Sequence, residues 1–406
     1  VPTSRTAATD GVRRRPKDRK AQIARVAAEA FSARGYHAVG MDDIAAVLGI
    51  SATALYRHYA NKYDMFRAAV LALGQQLVDA TEFCEALDPS VDPVELRDRI
   101  VGAIVDVAIA NRESGGLYRW QGRYLEGDDQ AALMSQIRLV NRRIQIPLRM
   151  RRPELSSIER WTLSSSAMSI MGSVADHRAK LPAPEIRKLM IDLVGAALDA
   201  DLPTPEEAAR EPEVVPQPVA ETATIGRYEA VLQQSLVLFA KQGYHETGMG
   251  EIAAAVGMPT SAIYRYFPGK QDILTAVFRR SSDRVSDALA SAMAGVGDPR
   301  EALLRVVDAY VASAFANPDL SHVYYAERVN LNPADQELLR NVQRSTVGSW
   351  SRLLSEARPE LSEAQARFIV HAAMALVIDL GRLVLYDNSS VAQASVRRMM
   401  HATLGV

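Results

Sequence analysis

Residues 31–66 read FSARGYHAVGMDDIAAVLGISATALYRHYANKYDMF, and residues 239–274 read FAKQGYHETGMGEIAAAVGMPTSAIYRYFPGKQDIL. The second stretch lies over the first at an offset of 208 residues without a gap, and fifteen of the thirty-six positions are identical. Two unrelated helical segments do not match at that density without gaps, so the chain is an internal duplication. Apolar residues recur three and four apart at Ile23, Ala27, Ala30 and Phe31, and again at Leu232, Leu236 and Phe239, which predicts an amphipathic helix at the head of each copy. Gly35 and Gly243 end these helices, because glycine accepts positive φ without a Cβ clash. Two short helices are expected next, over 42–48 and 52–59, separated by Gly49-Ile50-Ser51 and, in the copy, by Gly257-Met258-Pro259. Helix, tight glycine turn, helix is the helix-turn-helix, whose second helix enters the major groove of DNA. Ala45 and Ala46 are small enough for a close crossing beside Ile44 and Leu48, and Ser51 or Thr260 stands where it can accept an orphan helix N–H.

The rest of the composition narrows the class. At 406 residues with 48% apolar content the chain is long enough for several buried cores. The one cysteine, Cys84, rules out an intrachain disulfide framework or a cysteine zinc site, and with no export signal or apolar span a cytoplasmic address is expected. The net charge of −1 gives no global sign of nucleic acid, so local charge has to carry it. Residues 1–66 hold eleven Lys/Arg against six Asp/Glu, whereas residues 220–274 hold four against five. Arg13, Arg14, Arg15 and Lys17 precede the first helix as a basic arm able to reach phosphates or the minor groove, so the first head should bind DNA more tightly than the second. The Pro- and Glu-rich stretch 199–224 reads as a semi-extended linker. The expected order is a basic arm (1–16), a DNA-binding head (17–77), a helical body (78–200), a linker (201–223), a second head (224–285) and a second body (286–406).

The paired motifs resemble the TetR family of regulators: Gly35-Tyr36, Asp43-Ile44-Ala45, Gly49, Tyr56-Arg57-His58-Tyr59 and Lys62, then Gly243-Tyr244, Glu251-Ile252-Ala253, Gly257, Tyr264-Arg265-Tyr266-Phe267 and Lys270. By that resemblance Tyr56, His58 and Lys62 hold phosphates while Ser51, Thr53 and Arg57 face bases or backbone, and Thr260, Ser261, Tyr264, Arg265, Tyr266 and Lys270 do the same work in the copy. Hydroxyls and cations at a helix N-terminus suit phosphate, and arginine can read guanine in a bidentate pair. The Thr or Ser common at the start of the first motif helix is replaced by Gly40 and Gly248, which leaves a backbone N–H for phosphate there.

The resemblance implies an all-α fold of two units, each a helix-turn-helix head on a helical regulatory body of about nine helices in total, with a four-helix bundle built from 156–181, 183–200, 362–386 and 391–404. Small residues such as Ser165, Ser169, Ser173, Ala372, Ala375 and Gly381 would let these helices approach, making one chain a pseudo-dimer, with further self-association open. Unlike heads imply a non-palindromic double-stranded operator. The family's middle helices enclose an inducer. The candidates here are Tyr118, Trp120, Arg123, Met134, Met168 and Met171 in the first repeat, and Tyr310, Phe315, Tyr324, Tyr325, Arg328, Trp350 and Met374 in the second. An apolar lining favours a lipid- or sterol-like ligand. The tandem arrangement is also similar to that of mycobacterial repressors of mammalian-cell-entry operons, which implies control of lipid import or metabolism. No nucleotide loop, metal-ligand spacing or nucleophile motif is present, so neither enzyme activity nor a cofactor or metal is expected. An activator or dual regulator rather than a repressor, and a scaffold in which only the first head reads DNA, are the alternatives.

Overall fold

The computed structural model describes residues 16–88, 90–210 and 226–406, and the regular structure among them is entirely helical. The first repeat comprises α1 (Pro16–Arg34), α2 (Met41–Leu48), α3 (Ala52–Leu55), α4 (Lys62–Ala80), α5 (Pro93–Ala110), α6 (Gly127–Arg151), α7 (Ser157–Gly172) and α8 (Ala183–Asp199), with a π-helical turn at Leu117–Gln121. After α9 (Pro205–Ala208) the second repeat runs α10 (Arg227–Gln242), α11 (Met249–Ala255), α12 (Thr260–Ile263), α13 (Lys270–Met293), α14 (Pro299–Ala316), α15 (Pro318–Glu327), α16 (Pro333–Ala357), α17 (Glu363–Leu383) and α18 (Ser390–Leu404). The duplication therefore persists through the bodies. It breaks at the π turn, which stands where the copy has α15. Gly115 and Gly116, poor helix formers, precede that turn, and a Cβ on Gly115 would lie 2.7 Å from the Ala175 side chain.

Each head has its own core. Ile23, Phe31, Ile44, Leu55 and Phe66 pack together in the first and Val231, Phe239, Ile252, Ile263 and Phe278 in the second. A third core is continuous through both bodies and includes Ile100, Leu163, Met190, Val307, Trp350, Phe368 and Met400. Its centre is a four-helix bundle within one chain, in which α7 packs along α17 and α8 along α18. Buried Ser169, Ser173, Ala372 and Ala375 allow that approach. Across the bundle the buried Arg119 guanidinium pairs with Asp176 of its own repeat at 2.5 Å and with Asp379 of the other. His177 stacks on His371 at 4.1 Å, and Trp120 stacks on Tyr325 at 4.3 Å.

Several element ends differ from expectation. Helix α7 stops at Gly172 rather than near 181, and the chain turns through Ser173–Ala175 so that Asp176 meets Arg119. Helix α17 stops at Leu383, because Leu385 and Tyr386 take φ of 54° and 49° and fold Tyr386 back over Gly381, whose added Cβ would meet that ring at 2.3 Å. The stretch after α8 is docked rather than extended at its start. Thr204 and Glu207 cap α9 reciprocally, Ala208 is buried, and Arg398 of α18 donates to the Asp201 carbonyl at 3.2 Å. Helices α4 and α13 each run on past the head into the body, so no break separates the two.

Candidate nucleic-acid interface and effector cavity

The heads are built by matching local devices. Helix α2 ends in Gly49 at φ 64°, with Ile50 N–H bonded to Ala45 O; α11 is followed by Gly257 at φ 65°, with Met258 N–H bonded to Ala253 O. The tight turn that results drops α3 and α12 across the preceding helices. Leu55 and Tyr59, and their counterparts Ile263 and Phe267, then face the head cores at a spacing of four. The opposite face is left to solvent. Tyr56 is 54% exposed and Tyr264 52%, and Ser51, Thr53, Arg57, Thr260, Ser261, Arg265 and Tyr266 are exposed as well, with His58 half-buried. Among the described residues, the side chains of Thr53, Tyr56, Arg57, Thr260, Ser261, Tyr264, Arg265 and Tyr266 form no hydrogen bond or ion pair with the protein. Each recognition helix is shorter than expected. It is one regular turn, continued as turns in which His58 and Tyr59 N–H both reach Leu55 O.

Four sequence expectations are placed differently by these contacts. Lys62 does not stand free for phosphate: its Nζ donates to His37 O at 3.3 Å and lies 4.5 Å from the Tyr36 ring centre. Lys270 is held more firmly, donating to Tyr244 O at 2.6 Å, His245 O at 3.0 Å and Thr247 O at 2.9 Å. Partial burial lowers both lysine pKa values. The Gly40 and Gly248 N–H groups are likewise occupied, by Asp43 and Glu251 at 2.7 Å, and these hydrogen bonds hold both carboxyls below their usual range. Ser51 does cap α3, accepting from Ala54 N at 3.3 Å, but Thr260 lies inside α12 with Pro259 at the cap and accepts nothing. Arg13, Arg14 and Arg15 lie outside the described residues, as does the side chain of Lys17.

The proposed pocket residues divide into three groups. Tyr310, Tyr324, Tyr325 and Met374 line a cavity of about 150 Å³ in the second repeat, together with Phe278, Ser281, Ser282, Ser313, Gln343 and Thr346. Tyr118, Met168 and Met171 line its counterpart in the first repeat, which is only about 30 Å³. The others do not line either cavity. Phe315 and Trp350 are packed in the shared core, and Met134 is 43% exposed. Trp120 donates to Asp176 at 3.0 Å, Arg123 pairs with Glu327 at 3.6 Å, and Arg328 lies over the Tyr324 and Tyr325 rings. The difference in volume has a sequence cause. With Pro299 of α14 set on Pro93 of α5, the bodies align at an offset of 206 against 208 in the heads; Ser281 and Ser313 then stand where Leu73 and Val107 line the first cavity, and Ser282, Gln343 and Thr346 where the first repeat has Gly74, Ile137 and Val140. The bulkier Leu73 and Val107 narrow the first cavity, where the smaller Ser281 and Ser313 leave the second wider. Comparing the copies position by position would have found these polar residues; a search for aromatic and methionine clusters passes over them. Tyr324 donates to Gln343 at 3.2 Å, whereas Ser282, Ser313 and Tyr310 have no side-chain hydrogen-bond partner among the described residues. Burial raises the Tyr310 pKa, which keeps its hydroxyl neutral.

Two exposed helix-turn-helix heads on one covalent helical body are the architecture of a DNA-binding regulator. Residues 23–69 and 231–277 each match the family model for bacterial regulatory proteins of the tetR family, and residues 298–405 match that of a tetracyclin repressor-like C-terminal domain. The chain is 30% identical over 146 residues to the HTH-type transcriptional repressor LfrR of Mycolicibacterium smegmatis, covering 36% of this chain and 74% of that protein. It is 28% identical over 143 residues to the HTH-type regulator HbdR of Aromatoleum, covering 32% of this chain and 62% of that relative's length. A solved structure of the fatty acid degradation regulator FadR from Bacillus halodurans matches at 23% identity and a TM-score of 0.39, covering 45% of this chain and 96% of that one. The chain belongs to the TetR family of transcriptional regulators, a non-enzymatic family, and carries two of its DNA-binding segments. Among the described residues no helix is long and apolar enough to cross a membrane.

Proposed function

We propose that this chain is a transcriptional repressor that reads a non-palindromic operator with two unlike heads, and that an uncharged, largely apolar ligand of lipid or sterol type entering the second-repeat cavity relieves repression. The observation that carries this is the pair of matched surfaces, Thr53, Tyr56 and Arg57 on one recognition helix and Ser261, Tyr264 and Arg265 on the other, exposed and unpaired within one chain. Exposed arginine and hydroxyl groups without protein partners are free to contact base edges and phosphates. The half-sites differ because the helices differ: Ser51, Ala52 and His58 stand where the second head has Pro259, Thr260 and Tyr266. Support for the ligand class comes from a cavity lining without a charged side chain, in which aromatic and aliphatic groups alternate with hydroxyls. The genes controlled are then those that import or metabolise that ligand.

Footprinting on the DNA flanking its own gene, with Arg57→Ala and Arg265→Ala variants, tests this. Each variant is expected to lose protection over a different half of an asymmetric site. A palindromic footprint untouched by Arg265→Ala would reduce the second head to a structural module.

A further inference from the structure

The two heads touch each other. His37, in the loop between α1 and α2, and His245, at the matching position between α10 and α11, stack with ring centres 4.3 Å apart and planes 26° from parallel. Both loops are held from behind, by Lys62 bonded to His37 O and Lys270 bonded to His245 O. A wedge from the bodies fixes them further. Tyr124 stacks on Tyr36 at 5.7 Å, meets the His37 ring edge-on at 4.9 Å, and donates to Glu327 at 3.3 Å. The fully buried Glu327 also accepts from Tyr244 N at 3.3 Å. Gln121 accepts from Tyr36 N at 3.2 Å and donates to Ala326 O at 3.1 Å. His245 is bonded to Asn330 at 2.8 Å, and Val329 sits so close to Gly35 that an added Cβ would lie 2.8 Å from it. Arg123 of the first body donates to the Phe239 and Ala240 carbonyls of the second head at 3.5 and 3.4 Å, so residues of each body hold the head of the other repeat as well as their own.

We propose that this head-to-head contact is a spacer that fixes the separation of the two recognition helices before DNA is met, so that the chain selects operators by half-site spacing as well as by sequence. This rests on both heads reading DNA. Adding one base pair between half-sites moves one of them by roughly 3.4 Å and turns it by roughly 35° around the duplex. Independently hung heads could follow such a shift; heads stacked through His37 and His245 cannot do so while the stack is intact. His37 and His245 are therefore positioning residues, acting on the base-reading side chains through the loops they fasten.

The test uses the full chain and a library of random 40-base-pair duplexes. Wild-type protein is expected to enrich two half-sites at a single spacing, and one inserted base pair should weaken binding by about thirtyfold or more. A His37→Cys, His245→Cys variant joined by a short thiol cross-linker should bind the selected duplex within about threefold of wild type, since the native Cys84 is buried. A His37→Asp, His245→Asp variant should lose most of the insertion penalty while keeping wild-type helicity by circular dichroism; should it not fold, His37→Gln, His245→Gln takes its place. The spacer is refuted if cross-linking abolishes binding, if the wild type enriches several spacings equally, or if the folded variant keeps the full penalty. Enrichment of one half-site alone would overturn the two-head reading and the spacer with it, a result distinct from two half-sites at variable spacing.

Discussion

Replacing Lys270 with Met separates a phosphate ligand from a structural clasp. The Lys270 ammonium donates three bonds, of 2.6, 3.0 and 2.9 Å, to the carbonyls of the loop ahead of α11, while Lys62 donates one of 3.3 Å. Hydrogen bonds to a charged donor contribute roughly 1.5–3 kcal/mol in buried settings, and less where water competes. Lys270 is only partly buried, so Lys270→Met should cost about 2 kcal/mol in total, and Lys62→Met about half of that. Urea unfolding monitored by circular dichroism reads these losses. Binding to DNA measured from low to moderate salt supplies the second readout, because each phosphate contact adds about 0.9 to the slope of log K against log salt. A clasp predicts lower stability with an unchanged slope. A slope reduced by about one, at wild-type stability, would refute the structural role and return Lys270 to the phosphate backbone.

Further outcomes follow from the body. Arg119→Met leaves Asp176 and Asp379 facing each other across the bundle without their cation, and removing one partner of a buried ion pair costs about 3–5 kcal/mol; a loss below about 1 kcal/mol in denaturant unfolding would contradict the bridge. Burial lowers the pKa of His177 to about 2 and of His371 to about 4, so both stay neutral in the folded chain where an unfolded histidine takes up a proton near 6.5. Folded stability is then complete above about pH 6.5 and falls as pH drops toward 4, by roughly 1.4 kcal/mol per pH unit for each histidine; a His177→Asn, His371→Gln variant should show a flatter acid branch, and an unchanged one would contradict the assignment. Installing the first-repeat residues in the second cavity, as Ser281→Leu with Ser313→Val, should close it and abolish ligand-driven release of DNA without weakening DNA binding; calorimetry and a release assay on the selected operator check both parts.

How much of this was legible in the sequence depends on the distance over which each feature is determined. The heads are local. Ile23, Ala27 and Phe31 recur at helical spacing ahead of Gly35, and the ungapped repeat confirms the pattern from within the chain, so the motif and its exposed face could be read directly. The bundle helices were also legible, although their ends were not, because Asp176 and Tyr386 turn toward partners chosen by tertiary packing. The Arg119 to Asp379 bridge spans 260 residues and has no local signature. Lys62 and Lys270 carry the family's pattern, yet their ammonium groups fold back onto carbonyls that only the closed loop brings within reach. The cavity lay between these cases. Its location was legible in Tyr310, Tyr324 and Met374, but its opening depends on Ser281 and Ser313 replacing Leu73 and Val107, which only the alignment of one repeat on the other exposes.

The measurement closest to the central claim is the stoichiometry of the protein on a selected duplex, by sedimentation at concentrations near Kd, for wild type and for Arg265→Ala. A chain that is a complete two-headed reader gives one chain per duplex, with binding first order in protein and both half-sites protected, and Arg265→Ala releases only its own half. Two chains per duplex, binding second order in protein and indifferent to Arg265→Ala, would contradict it.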